Sequence, residues 1–186
     1  MQGTIGEIML KAIHLDYDFD IFTTADYSVH EGSCIAHQVH ELKDIHEDYG
    51  GFPDSYENKN TKIRQLWWDR EWVDFDYIGS QLGMEVITIS SILQPPGNII
   101  PIHRDTFFQI RKRFPNDKRR KVRANIYLEN WSVGHFIQYQ LNNEWHNSTH
   151  WNQGEGWMWD NDILHLSANA GMYDKYTLQV SGFLNE

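Results

Sequence analysis

The spacing of apolar positions along the chain changes once, near Gly83. Ahead of it, in "NKNTKIRQLWWDREWVDFDYIGSQLG", Ile63, Leu66, Trp67, Phe75, Ile78 and Leu82 recur roughly as one helical stripe would. Asn60 stands where a cap would accept the first free N–H groups. This spacing predicts a helix or a helix pair over 60–83. Beyond Gly83 the pattern gives way to short β-branched and aromatic runs separated by turn residues. Runs at 84–93, 99–105, 122–130, 135–141, 156–160, 163–168 and 175–183 read as strands, and that many short strands in about a hundred residues predict an antiparallel jelly roll. An early strand in "IMLKAIHLDY" would join one edge. The expected fold is mainly β, a cupin-like double-stranded β-helix, with helical support in 1–83 and the barrel core in 84–186.

Length and composition narrow this picture without changing it. A chain of 186 residues suits one domain with a sizeable core, and its apolar and aromatic content is that of a folded protein. The formal charge of -10 argues against nucleic acid as a partner, because such binding relies on clustered Lys and Arg neutralising phosphates. One segment runs against the average. "RKRFPNDKRRKVR", 111–123, holds eight of the sixteen basic residues and a single acid, Asp117. It reads either as a solvated hairpin loop or as a basic lip that recruits an anionic substrate. The lone Cys34 leaves no internal disulfide and no cysteine-built zinc site, which suits a reducing cytoplasm. No apolar run approaches the roughly 20 residues needed to span a bilayer, and the opening residues lack the order of a signal peptide. A soluble cytoplasmic protein with no membrane partner is expected.

The chemistry is carried by a few spaced polar residues. In an extended segment, side chains two apart share a face, so His103 and Asp105 in "PGNIIPIHRDTFFQ" can grip one ion while Arg104 points away. In a jelly roll, strands distant in sequence become neighbours, which would bring His165 of "DNDILHLSANAG" to the same ion. Two imidazoles and a carboxylate on one face of a divalent ion leave positions open for a cosubstrate and oxygen. Singly, each of these residues reads as an ordinary core or turn residue. Other histidines have simpler readings: His37, His40 and His46 on an acid-flanked helix lacking HExxH, His146 and His150 in a loop. Most tryptophans read as core, with Trp145 and Trp151 as exposed substrate contacts in a polar loop.

With Lys175 ten positions beyond His165, this set resembles the Fe(II)/2-oxoglutarate-dependent oxygenases. The likeness covers roughly 84–184. Through "PGNIIPIHRD", "VRANIYLEN", "DNDILHLSANAG" and "DKYTLQV" it is most similar to the aspartyl/asparaginyl β-hydroxylase-like branch. The resemblance implies that His103, Asp105 and His165 are the catalytic metal ligands. It also implies that 2-oxoglutarate is anchored through its distal carboxylate on Lys175 and Thr177, with Arg123 and Asn125 assisting, and that O2 is consumed. A C–H bond of a peptide side chain or small molecule would then be hydroxylated, releasing succinate and CO2. Lys175 stands where the family more often has arginine, and it meets a carboxylate as a point charge rather than as a two-pronged fork. Asn125 stands where that branch has histidine. Two other readings remain open: a metal-binding cupin-like module without turnover, and a metal-dependent cupin enzyme that does not use 2-oxoglutarate.

Overall fold

A computed structural model describes residues 10–28, 31–33 and 61–185, and its fold is the jelly roll of the cupins, built from two antiparallel sheets. The larger sheet runs in the order β1 (Leu10–His14), β9 (Glu155–Trp159), β6 (Lys121–Tyr127), β11 (Lys175–Leu184), β4 (Met84–Gln94), β3 (Lys62–Trp68), β2 (Glu31–Ser33). The smaller runs β5 (Ile99–His103), β10 (His165–Asn169), β7 (His135–Leu141), β8 (Glu144–Ser148). The strands expected from turn-bounded alternation all form, with ends shifted by a few residues, and the early strand does pair at an edge, β1 on β9.

Strand alternation explains how one sheet builds both a core and a cavity. Along β11, Leu178 and Val180 join Ala124 and Ile126 of β6 in an apolar layer, while Thr177, Gln179 and Ser181 on the opposite face border a cavity between the sheets. The apolar layer is capped by Leu15, Phe19 and Phe22 around α1 (Asp20–Thr23) and by Phe75, Ile78 and Leu82 of α2 (Phe75–Leu82). Each of these buried side chains contributes roughly 1.5–3 kcal/mol relative to exposure. The helix itself begins where Asp74 Oδ1 accepts the Tyr77 N–H at 2.9 Å and stops at Gly83, whose φ of 70° is left-handed.

Three local expectations are corrected. The helix expected over 60–83 forms only from Phe75, since 62–68 is a strand. Pairing of Arg64–Trp68 with β4 prevails there over the helical spacing, and both faces of β3 are half-buried, so no clean alternation signals a strand. "EWHNS", taken as loop, is β8, entered through Asn142 and Asn143, which both carry positive φ as a two-residue hairpin turn requires. The basic run begins in a helix, α3 (Phe108–Arg113), rather than in a plain hairpin loop. The helix expected around His37, His40 and His46, the cap at Asn60, and Cys34 lie outside the described residues. Among the described residues no helix is long and apolar enough to cross a membrane.

Candidate metal centre

Pairing of β10 with β5 sets His165 directly opposite His103, and the ring centroids lie 4.1 Å apart. Asp105 lies two residues beyond His103, outside β5, in the irregular segment 104–107 that leads into α3. Ligand atoms of all three residues lie within 4.8 Å of one another, and all three side chains are buried. His103 Nδ1 lies 2.8 Å from the Pro101 carbonyl and His165 Nδ1 lies 3.1 Å from that of Ile163. A carbonyl only accepts, so each Nδ1 carries the proton and each Nε2 presents a lone pair. This is how outer partners fix the tautomer of a metal-ligating imidazole.

Electrostatics prepare the same three groups. Burial holds His165 down to about 3, aided by His103, so the ring is neutral at physiological pH, as a metal-binding imidazole would need to be. Burial alone would raise the Asp105 carboxyl, but the Arg123 guanidinium, the two imidazoles and the Trp159 hydrogen bond outweigh it, and its pKa falls below the usual range. Trp159 Nε1 donates to Asp105 Oδ2 at 2.9 Å, and Arg123 pairs with Oδ1. Those two residues sit opposite each other in the β6–β9 register, which is why both reach one carboxylate. Sequence reasoning assigned Trp159 to the core. Its signal was the alternation in "WMW", which sends Trp157 and Trp159 to the same face.

Of the four cosubstrate residues expected from the sequence, Arg123, Asn125 and Thr177 fall along the cavity floor and Lys175 does not. Thr177, Asn125, Arg123, Gln94 and Ser167 border a cavity of about 570 Å³ together with the three candidate ligands. Asn125 Oδ1 accepts from Gln179 Nε2 at 3.2 Å, while its buried Nδ2 has no hydrogen-bond partner among the described residues. Lys175 lies behind that wall rather than on it. Its Nζ donates to Ser167 Oγ, with Gln94 Oε1 and the Phe136 carbonyl each at 3.5 Å. Burial lowers Lys175 to about 7, opposed by the charge of Glu129. Gln94 and Ser167 were invisible as site residues because only cross-sheet packing brings them to the lysine.

Two further expectations change. Trp151 is not an exposed contact: it is buried, stacked on Tyr127 at 3.9 Å, and Trp145 on β8 does not border the cavity. Nor does any residue of 111–121 border it. Arg119 pairs with Asp117 and Glu85, Arg120 with Asp160, and Lys121 Nζ donates to the Asp117 carbonyl, so three of the seven cations of 111–121 are held by acceptors close by.

No protein-family model matches the sequence, and no curated protein matches it. Solved structures do match. The non-heme alpha ketoglutarate dependent carbocyclase SnoK from nogalamycin biosynthesis aligns with 94% of this chain and 79% of its own, at 9% identity and a TM-score of 0.55. A Pseudomonas putida prolyl-4-hydroxylase aligns with 84% of this chain and 91% of its own, at 20% identity and a TM-score of 0.49. A predicted oxalate decarboxylase from Thermotoga maritima aligns with 66% and 82%, at 13% identity and a TM-score of 0.40. Likeness at these identities speaks to the fold alone: the chain has a cupin fold.

Proposed function

We propose that the protein is an Fe(II)- and 2-oxoglutarate-dependent oxygenase that hydroxylates a C–H bond, with O2 as oxidant. The observation that carries this reading is the convergence of His103, Asp105 and His165, with each Nδ1–H held by a backbone carbonyl so that the tautomer is fixed. Two nitrogens and one carboxylate oxygen on one face suit a divalent ion with open positions. Bound there, iron would supply activation of O2 coupled to oxidation of the cosubstrate to succinate and CO2.

The remaining residues have assignable parts. Ser167 lies two positions along β10 from His165, about 7 Å on the same face, a span suited to a five-carbon diacid. Its hydroxyl oxygen accepts from Lys175 Nζ while its proton goes to Gln94 Oε1 at 2.8 Å, so Lys175 stands one hydrogen bond behind a wall that carries Thr177 and an Asn125 Nδ2 without a partner among the described residues. Arg123 and Trp159 orient the Asp105 carboxylate, leaving Arg123 less available to a cosubstrate than the resemblance implies. Membership of the aspartyl/asparaginyl β-hydroxylase-like branch belongs to the same proposal, supported only by the quoted sequence runs.

A second reading has one observation in its favour. Lys175 is covered by Ser167 and Gln94, as it would be in a cupin that binds a metal but not 2-oxoglutarate. Anaerobic titration separates the two. Fe(II) followed by 2-oxoglutarate is expected to give a saturable visible charge-transfer band. Fe(II) binding without that band would favour the second reading.

A further inference from the structure

The outer part of the cavity has a composition unlike its floor. Its wall is made by Ile63, Gln65 and Trp67, alternate residues on one face of β3, and by Phe108, Gln109 and Ile110 from α3. Trp67 and Phe108 border the cavity yet remain 56% and 63% exposed, so both rings stand at its rim. Exposed aromatic rings on a cavity rim offer flat faces that stack on flat apolar ligands. The backbone supports this placement at Phe107, which holds a left-handed φ of 51° while its ring is buried with Ile110 and Phe183. A bulky residue keeps that conformation only where its surroundings over-determine it, and such strain concentrates at binding sites.

Charge sharpens the class of ligand. Among the described residues, Asp105 is the only carboxylate on the wall and Arg123 the only guanidinium, and the two are paired with each other. The cations of 111–121 stay off the wall. The chain as a whole carries a formal charge of -10, which repels anions at long range. Gln65 and Gln109 are the neutral hydrogen-bonding groups of the outer wall, and a volume of about 570 Å³ lies in the range of pockets that bury most of a drug-sized molecule.

We infer that the outer cavity, bounded by Trp67 and Phe108, is the binding site for the prime substrate, and that this substrate is a small, neutral molecule with a flat, unsaturated ring face. This rests on the oxygenase reading for the word substrate, but the binding site itself does not depend on iron. Gln65 and Gln109 orient the molecule through its hydroxyl or carbonyl groups, while the two rings hold its flat face.

Equilibrium binding of 2-naphthol, 2-naphthoate, a 2-naphthylmethylammonium salt and a capped phenylalanine pentapeptide to the full chain tests this, with and without Zn(II) and 2-oxoglutarate. 2-Naphthol is expected to bind best under both conditions. Trp67→Ala and Phe108→Ala should each weaken it about fivefold, and both side chains are exposed enough that folding should survive. Gln109→Leu should weaken 2-naphthol more than naphthalene. Equal or tighter binding of the naphthoate, the ammonium salt or the peptide overturns the assignment, as does 2-naphthol binding unchanged in both aromatic variants. Failure of the oxygenase reading looks different: 2-naphthol binding that depends on Trp67 persists while no charge-transfer band forms with Fe(II) and 2-oxoglutarate.

Discussion

The two ends of the cavity floor solve opposite problems. At the metal end, burial strips charge: His165 is neutral, its proton is held on the far nitrogen, and the one carboxylate is balanced by Arg123 and Trp159. At the Lys175 end, a side chain that would ordinarily carry a charge is buried among neutral acceptors, and its pKa drops to about 7. The first arrangement waits for a cation. The second has the charge of Glu129 opposing the cost of burial, and a carboxylate arriving beside it would favour the ammonium further. The contrast says that metal binding should be robust and cosubstrate binding conditional.

The largest expected effect breaks the metal end. His103→Ala, Asp105→Ala or His165→Ala should each lower Fe(II) affinity by more than the about 10–100-fold typical of losing an outer partner. Competition with a metal-indicator dye measures this, and an affinity drop below tenfold in all three would dissolve the site. Next comes Lys175→Met, which should leave Fe(II) binding in place and weaken 2-oxoglutarate by about 30-fold, close to 2 kcal/mol for a charge-assisted hydrogen bond. Its thermal stability should equal or exceed that of the native chain, since the burial cost that lowers Lys175 is removed. Trp159→Phe should reduce Fe(II) affinity about tenfold by releasing Asp105 Oδ2 while keeping an aromatic ring in place.

A pH series sharpens the contrast from the other side. Lys175 is neutral above about pH 7 in the ligand-free protein, so binding an anion there takes up a proton. Affinity for 2-oxoglutarate should therefore fall as pH rises above about 7 and flatten below it, and Lys175→Met should remove the slope. Stability moves the other way. The lysine's folded pKa lies below its ordinary 10.5, so the folded chain binds fewer protons between about 7 and 10.5. The destabilisation is complete below pH 7 and is relieved as pH rises through that window. The smallest effect lies away from the cavity: Asp74→Ala should cost about 1 kcal/mol by removing the α2 cap and leave both binding events unchanged.

How far the sequence foretold this depended on the range of each interaction. The strands from β4 onward were legible because alternation and turn residues are local, and "TLQVSG" even shows which face is polar. β3 was not, because Ile63, Leu66 and Trp67 satisfy a helical interval by accident and only pairing with β4 decides otherwise. β8 was missed although Asn142 and Asn143 spell a hairpin turn. For the site, His103, Asp105 and His165 were legible as types and spacings. Their outer partners were not, since Trp159, Ser167 and Gln94 acquire roles only through registers such as Arg123 opposite Trp159 and Lys175 opposite Gln94. Trp151 shows the reverse error, where polar neighbours in sequence concealed a stacked, buried ring.

The central claim is that this floor couples iron to 2-oxoglutarate. Its most direct test is succinate formation from 2-oxoglutarate with Fe(II), with and without O2, in the native chain and in His103→Ala, Asp105→Ala, His165→Ala and Lys175→Met. The expected result is oxygen-dependent succinate in the native chain, its loss in the three ligand variants, and in Lys175→Met a rate restored by raising 2-oxoglutarate about 30-fold. Native protein that binds Fe(II) yet forms no succinate, or ligand variants that form it at the native rate, would contradict the claim.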